Sequence, residues 1–228
     1  MNSATITVKE FSLQPAARAT IISGIFGIAV VGFLIAYLVL RSGDTNNGML
    51  MAKLHDGFAI GQMLLFIPFL IALNKLSQQG LLGTGKPTIV TAIVALSFTA
   101  LFLFLGLIKI MAVVVYMFPQ GIFGVCLIIL YRQLKGFFSR GLRWFGVVVG
   151  FGLALVGCFP LYYAIFVDPI ILQIPAAPDE VVAKIPISDA NMIIHQVLWI
   201  GSPLGILTLP FWTLFAGRSL LKNKTVLA

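Results

Sequence analysis

Long apolar runs separated by short polar segments dominate the pattern of this chain. The run 88–131 is the longest, and Lys109 is its only charged residue. It is about twice the ~20 apolar residues that a helix needs to cross a bilayer, so it is predicted to cross twice. Soluble domains seldom contain an unbroken apolar run of this length. The other apolar runs are therefore also interpreted as lipid-facing helices.

The whole pattern predicts an all-α fold: a polytopic membrane helical bundle with six transmembrane helices in a single domain. The polar segments are short, apart from 168–191, which is rich in proline and holds most of the acidic residues. We expect this segment to form an extracytoplasmic flap rather than a domain. The predicted spans are 19–40, 56–73, 88–116, 121–138, 144–167 and 192–216.

The turn between the third and fourth helices has two candidate positions. Pro119, Gln120 and Gly121 together are the stronger turn signal, and a turn there puts Lys109 on the third helix, inside the membrane zone. A turn at 106–109 instead puts the lysine in a tight outer loop. We favour the first position, although it leaves a fourth span of minimum length.

The composition agrees with an integral membrane protein. Hydrophobic residues make up 60% of the chain and charged residues 10%, whereas soluble domains carry roughly 25% charged residues. We expect no cleaved secretory signal, since the stretch 1–10 is polar and no small-residue cleavage site follows a short apolar core. Cys126 and Cys158 lie inside apolar runs, without the spacing of a metal or redox site, and are interpreted as packing residues.

The distribution of charge predicts the orientation. The net charge of +8 comes from small basic groups at the ends of the apolar runs, which favours membrane anchoring over nucleic-acid binding. With six spans and a cytoplasmic N-terminus, eleven of the fifteen basic residues lie inside and six of the seven acidic residues outside. This is the asymmetry that the positive-inside rule requires, so both termini are expected to be cytoplasmic.

In the segment 121–157 an apolar helix is predicted to end in tyrosine and a basic residue, Tyr131 and Arg132. An aromatic and basic turn and a glycine-rich helix follow, with Phe137, Phe138, Arg140, Arg143, Gly146, Gly150, Gly152 and Gly157. This pattern resembles one found in uncharacterised bacterial six-helix integral membrane proteins of the domain-of-unknown-function type. The resemblance implies a location in the bacterial cytoplasmic (inner) membrane. It implies no chemistry and no site residues.

Polar side chains gather near the predicted outer ends of the spans, while the inner parts of the spans are nearly free of ionisable groups. Asp56 is expected to N-cap the second helix. His55 and His195 are each followed seven residues later by a polar residue on the same helical face. The candidate ligand-binding residues are His55, Asp56, Gln62, Lys109, Tyr116, His195 and Ser202.

Lys109 has two interpretations if it lies on a helix. A lysine at the bilayer centre costs roughly 2.5–3.5 kcal/mol on insertion scales, so its side chain must snorkel outward or find a partner. In the functional interpretation its ammonium holds an anionic group, such as a lipid phosphate or a carboxylate.

The leading functional hypothesis is a non-catalytic membrane protein that binds a hydrophobic or amphiphilic ligand, or a partner subunit, at its outer-leaflet side. The alternative is a redox protein in which His55 and His195 ligate one haem b iron. A small-molecule transporter ranks third, because such proteins need ionisable groups in mid-membrane and the spans of this chain have almost none there. No catalytic motif is present in the sequence. The expected partners are membrane lipids, with a membrane protein subunit or a second copy of the chain as further candidates.

Overall fold

A computed structural model describes residues 13–40, 43, 45–78, 85–135, 137–178, 181, 185 and 188–222. In these ranges the regular elements are helices, and six helical segments are long and apolar enough to cross a membrane. The predicted helical fold with six spans is thereby confirmed. The α-helices are α1 (Gln14–Leu40), α2 (Thr45–Gln78), α3 (Lys86–Leu107), α4 (Met117–Gln133), α5 (Arg140–Gly157), α6 (Phe159–Phe166), α7 (Asp189–Ser202) and α8 (Leu209–Lys222).

Shorter helical segments complete several spans. A 3-10 helix, Val113–Tyr116, leads directly into α4, and a second one, Pro169–Leu172, follows α6. A π-helix, Pro203–Leu207, joins α7 to α8 and makes them one long span. Serine caps fix two of the helix starts, because the hydroxyl oxygens of Ser139 and Ser188 accept backbone N–H bonds at the first turns of α5 and α7.

The helices form a closed bundle. Consecutive spans pack side by side, and α8 returns to pack against α1. The two helices are antiparallel, since a Cβ on Gly217 would lie 3.0 Å from the carbonyl oxygen of Ala17 and one on Gly24 would lie 2.9 Å from that of Pro210. The beginning of α1 and the end of α8 therefore lie at the same end of the bundle.

The two ends of the bundle differ in charge. We call the end with Leu13, the α4–α5 connection and Lys222 the terminal end, and the end with the α3–α4 turn and segment 168–178 the flap end. The described acidic residues, Asp56, Asp168 and Asp189, all belong to the flap end. The terminal end holds the described cations Arg18, Lys75, Lys86, Arg132, Lys135, Arg140, Arg143, Arg218 and Lys222.

The turn between α3 and α4 lies earlier than the position we favoured. Helix α3 ends at Leu107, and Lys109 turns the chain with φ of 60°. The turn is tight because a Cβ on Gly106 would lie only 2.9 Å from the Cα of Val113. Pro119 lies in the first turn of α4, where a missing N–H breaks no helical hydrogen bond. The prediction of a turn at 119–121 was therefore wrong, as was the placement of Lys109 on the third helix.

A second correction concerns Asp56. Helix α2 begins at Thr45, so Asp56 lies inside the helix and does not cap it. The polar residues before the apolar run continue the helix toward the flap end, which makes α2 longer than the predicted span. Asp56 is consequently a carboxylate on the face of a spanning helix.

Candidate functional site

A hydrogen-bonded pair on α2 is the most distinctive polar feature at the flap end. The Nδ1 atom of His55 lies 2.9 Å from Oδ1 of Asp56, and the two side chains are only 14% and 13% exposed. In the described part of the chain this is the one contact between a basic and an acidic side chain. Ionisable residues within spanning helices are costly and commonly mark functional sites.

Tyr116 lies near this pair. The tyrosine belongs to the 3-10 helix that follows the α3–α4 turn, and it is buried in a cluster with Val30, Ala59 and Leu103. Ala59 comes one helical turn after His55 on α2, so the tyrosine packs against the part of α2 that carries the pair. We call His55, Asp56 and Tyr116 the flap-end polar cluster. Three of the sequence-predicted candidates thus lie together, held by α2 and by the turn that precedes α4.

Gln62 lies deeper in the bundle and serves packing. The side chain of Gln62 is 4% exposed, at the crossing of α1, α2 and α8. A Cβ on Gly27 would lie 2.6 Å from Nε2 of Gln62 and 2.7 Å from a ring carbon of Pro210. The hydroxyl of Ser23 donates to the backbone oxygen of Gln62 over 2.8 Å. These contacts join three helices around the Gln62 side chain.

Lys109 does not enter the cluster. Its side chain is exposed in the turn and forms no ion pair with any described residue, including Asp56 and Asp189. Its backbone N–H donates to the oxygen of Gly106 over 2.9 Å. The N–H of Ala176 donates to the oxygen of Ile110 over 3.1 Å, which ties the segment after α6 to this turn.

The structure does not bring the two histidines together. His195 is exposed on α7, which packs against α5, α6 and the π-helix, whereas α2 packs mainly against α1 and α3. Ser202 is the half-buried last residue of α7. Among the described residues there is also no group of three or more metal-ligating side chains. The bis-histidine haem hypothesis therefore has no support from the packing of the helices.

Two grooves were not predicted from the sequence. One, of about 340 Å³, is lined by apolar side chains of α3 and α4 such as Phe98, Phe102 and Ile122. The other, of about 610 Å³, lies at the terminal end between α5 and α8. In the sequence, Arg218 and Lys222 indicate basic side chains near the end of the last helix. The aromatic base of the groove could not be predicted, because it depends on which helix packs beside α8. Helix pairing cannot be derived from local hydropathy.

Comparisons of the chain with protein-family models, with curated proteins and with solved structures give no match. The function is therefore argued from the geometry and charge of the chain's own residues. The flap-end polar cluster is the stronger candidate, because its hydrogen-bonded pair lies within a helix long and apolar enough to span a membrane.

Proposed function

We propose that this chain is a non-catalytic integral membrane protein that binds the polar group of an amphiphilic small molecule at the flap-end polar cluster. The observation that carries the proposal is the pair between His55 and Asp56, largely buried on a helix that crosses the membrane. Removing two polar groups from water costs about as much free energy as their pairing returns, so a buried pair of this kind adds little to stability. Its presence is therefore better explained by binding than by stability.

The pair has hydrogen-bonding capacity that the described residues do not use. The contact between Nδ1 and Oδ1 leaves Nε2 of His55 and Oδ2 of Asp56 without a hydrogen-bond partner in the described part of the chain. Oδ2 of Asp56 can accept from a hydroxyl or from a protonated amine. Nε2 of His55 can accept from the same group when the ring proton lies on Nδ1, and it can donate to a hydroxyl oxygen when both ring nitrogens carry a proton. We therefore assign a hydroxyl or a protonated amine to the ligand as its polar group.

Apolar side chains beside the cluster provide a surface for the rest of an amphiphile. Phe58, Phe102, Val113 and Met117 are partly buried around Tyr116 and its neighbours. An apolar chain lying against these side chains gains van der Waals contacts while it stays within the membrane. The arrangement favours a molecule with one small polar group and a hydrocarbon portion.

We propose further that the flap end faces outward from the bacterial cytoplasmic membrane. The concentration of described cations at the terminal end supports this orientation through the positive-inside rule. The polar cluster then takes its ligand from the outer leaflet.

The test is an organic extraction of the detergent-purified full chain, followed by mass spectrometry of the extract. The chain offers matched controls, because His195 and Asp189 are exposed at the same end on another helix. We expect an amphiphile at near-stoichiometric amount in the wild type and in the H195Q and D189N variants. The H55Q and D56N variants are expected to lose it, while visible spectra before and after dithionite show no haem band.

Two results contradict the proposal. One is an extract with bulk membrane lipid only in all five proteins. The other is equal loss of a bound molecule in the cluster variants and in their matched controls. A stoichiometric polypeptide in place of the small molecule would instead identify a partner subunit as the occupant and would also overturn the proposal.

A further inference from the structure

The flap half of the bundle has a lateral opening between the second half of α1 and α7. In the terminal half, α8 packs closely against α1. A Cβ on Gly24 would lie 2.5 Å from Cγ of Leu214, and one on Gly27 would lie 2.7 Å from the ring of Pro210. In the flap half, α7 packs against α5, α6 and the π-helix rather than against α1. The second half of α1 therefore lacks the neighbour that covers its first half.

The exposure of side chains along α1 shows where this cover ends. Residues seven positions apart lie on nearly the same face of a helix. Ala17, which faces α8, is 0% exposed, whereas Leu38, three such intervals later, is 49% exposed. In the row formed by Ile21, Ile28 and Ile35, the first side chain is half-buried and the other two are exposed. The face of α1 that meets α8 thus continues past it without a covering helix.

The π-helix Pro203–Leu207 lies where α7 departs from α1. Segments of this kind interrupt the regular hydrogen bonding of a helix and often occur at functional sites. Just before the π-helix, α7 is held against α5, because a Cβ on Gly201 would lie 3.0 Å from Cβ of Leu155 and 3.1 Å from the oxygen of Gly152. After the π-helix, α8 returns to α1. The opening is therefore formed by packed helices and not by a loop.

The face of α2 that carries His55 is directed toward the interior of the bundle. His55, Ala59, Gln62 and Phe66 form one row along this helix. Phe66 lies at the centre of the bundle, with its ring 5.9 Å from that of Trp212. Gln62 is buried at the crossing of α1, α2 and α8. His55 continues this interior row toward the flap end and is still 14% exposed.

His55 lies at the height of the opening. Gln62 and Pro210 both lie beside Gly27, so they mark one level of the bundle. His55 precedes Gln62 by seven residues, and Pro203 precedes Pro210 by the same number, which is roughly 10 Å along a helix. Both steps lead toward the flap end. The imidazole is therefore level with the point at which α7 leaves α1.

We infer that the ligand of the flap-end polar cluster enters sideways from the bilayer and that its hydrocarbon chain lies in the opening between α1 and α7. This inference rests on the proposed function and narrows the ligand to an amphiphile with a long chain. The chain begins against the apolar side chains around Tyr116 and passes Val31 and Leu34, which follow Gly24 and Gly27 by seven residues on α1. A ligand without a chain would leave the opening unfilled.

The experiment locates the chain of a bound amphiphile by photolabelling. The detergent-purified full chain is irradiated with hexadecanol and, separately, with hexadecylamine, each carrying a diazirine in the middle of its chain. Mass spectrometry then maps the labelled peptides. For at least one probe we expect saturable labelling of the second half of α1 and of α7, which an excess of the unmodified amphiphile removes. D56N should lose this labelling, and D189N should keep it.

A tryptophan in the opening should obstruct the chain and leave the polar cluster intact. Val31 is half-buried at the opening, whereas Ile25 of the same helix is 55% exposed and precedes Gly32, which has open space beside it, by seven residues. Because overfilling a site is costly, Val31→Trp is expected to bind the probe at least about fivefold more weakly. The matched control, Ile25→Trp, should bind like the wild type.

Two results overturn the inference while the proposed function stands. One is saturable, Asp56-dependent labelling of the groove at Phe98 and Phe102 in place of α1 and α7. The other is equal binding in the two tryptophan variants while D56N abolishes it. If Val31→Trp does not fold, the labelling map of the wild type decides alone. Labelling that is saturable at no position, or that is unchanged in D56N, overturns both proposals.

Discussion

Lys109 has an unusual backbone conformation for its residue type. Its φ of 60° lies in the left-handed region that glycine adopts without cost, whereas a residue with a Cβ is disfavoured there by about 1–2 kcal/mol. The turn is held by hydrogen bonds on both sides, and the exposed side chain makes no ion pair with a described residue. The backbone conformation, rather than a contact of the ammonium with a described residue, is therefore what the turn requires of Lys109.

Substitutions of Lys109 should separate the effect of its backbone conformation from the effect of its side-chain charge. Lys109→Gly is expected to raise the free energy of unfolding by up to about 1 kcal/mol, and Lys109→Val to lower it by about 1–2 kcal/mol, since β-branched residues tolerate positive φ least. Thermal unfolding of the detergent-purified variants measures the order of stability. An unchanged melting temperature in both variants would contradict this account of the turn.

At the residue scale the sequence predicted part of the turn. Lys109 was recognisable as the one charge in a long apolar run, and both of its possible environments could be stated. We chose the wrong environment because proline and glycine occur in helices as well as in turns. Pro119 fits the first turn of a helix as well as a loop, and Gly121 is required for contact with Gly157, whose Cα would lie 2.6 Å from a Cβ on Gly121.

At the scale of elements, glycines determine how closely α4 and α5 pack. A Cβ on Gly124 would lie 2.5 Å from the backbone oxygen of Gly150, and a Cβ on Gly150 would lie equally close to that of Gly124. Small residues at helix interfaces in membranes allow this approach of one backbone to another. The contact between Gly124 and Gly150 therefore brings the backbones of α4 and α5 close together.

Gly124→Ala should therefore separate the two helices and destabilise the protein by about 1–3 kcal/mol, the usual cost of overpacking. The matched control is Gly32→Ala on α1, where a Cβ would meet no atom within 4 Å. The control should be neutral or slightly stabilising, because alanine favours helices over glycine. Unfolding in increasing sodium dodecyl sulfate measures both variants, and equal effects would contradict the packing argument.

The glycine patterns show what the sequence can predict about packing. Gly24 and Gly27 of α1 lie close to neighbouring helices, while Gly32 of the same helix has open space beside it. Gly146 and Gly150 form a G-x-x-x-G motif, but the first contacts Trp212 of α8 and the second contacts α4. The motif indicates that helices come close and carries no information about which helices they are.

At the scale of the whole molecule, the number of spans was predictable and the site was only partly so. Span number depends on the length and hydropathy of local segments. The site depends on which helices are neighbours: α2 and the Tyr116 turn meet, while α2 and α7 do not pack together. The candidate residues predicted from the sequence therefore divide into a group around Asp56 and others, such as His195, that lie elsewhere.

In the orientation that we propose, the flap end faces outward and the terminal end faces the cytoplasm. Cysteine labelling tests it most directly, starting from a variant in which Cys126 and Cys158, the native thiols, are replaced by alanine. Lys109→Cys reports on the flap end and Arg140→Cys on the terminal end, both at exposed positions. We predict that a membrane-impermeant maleimide labels Lys109→Cys in intact cells and labels Arg140→Cys only after the membrane is permeabilised. The reverse pattern, or labelling of both in intact cells, would contradict the account.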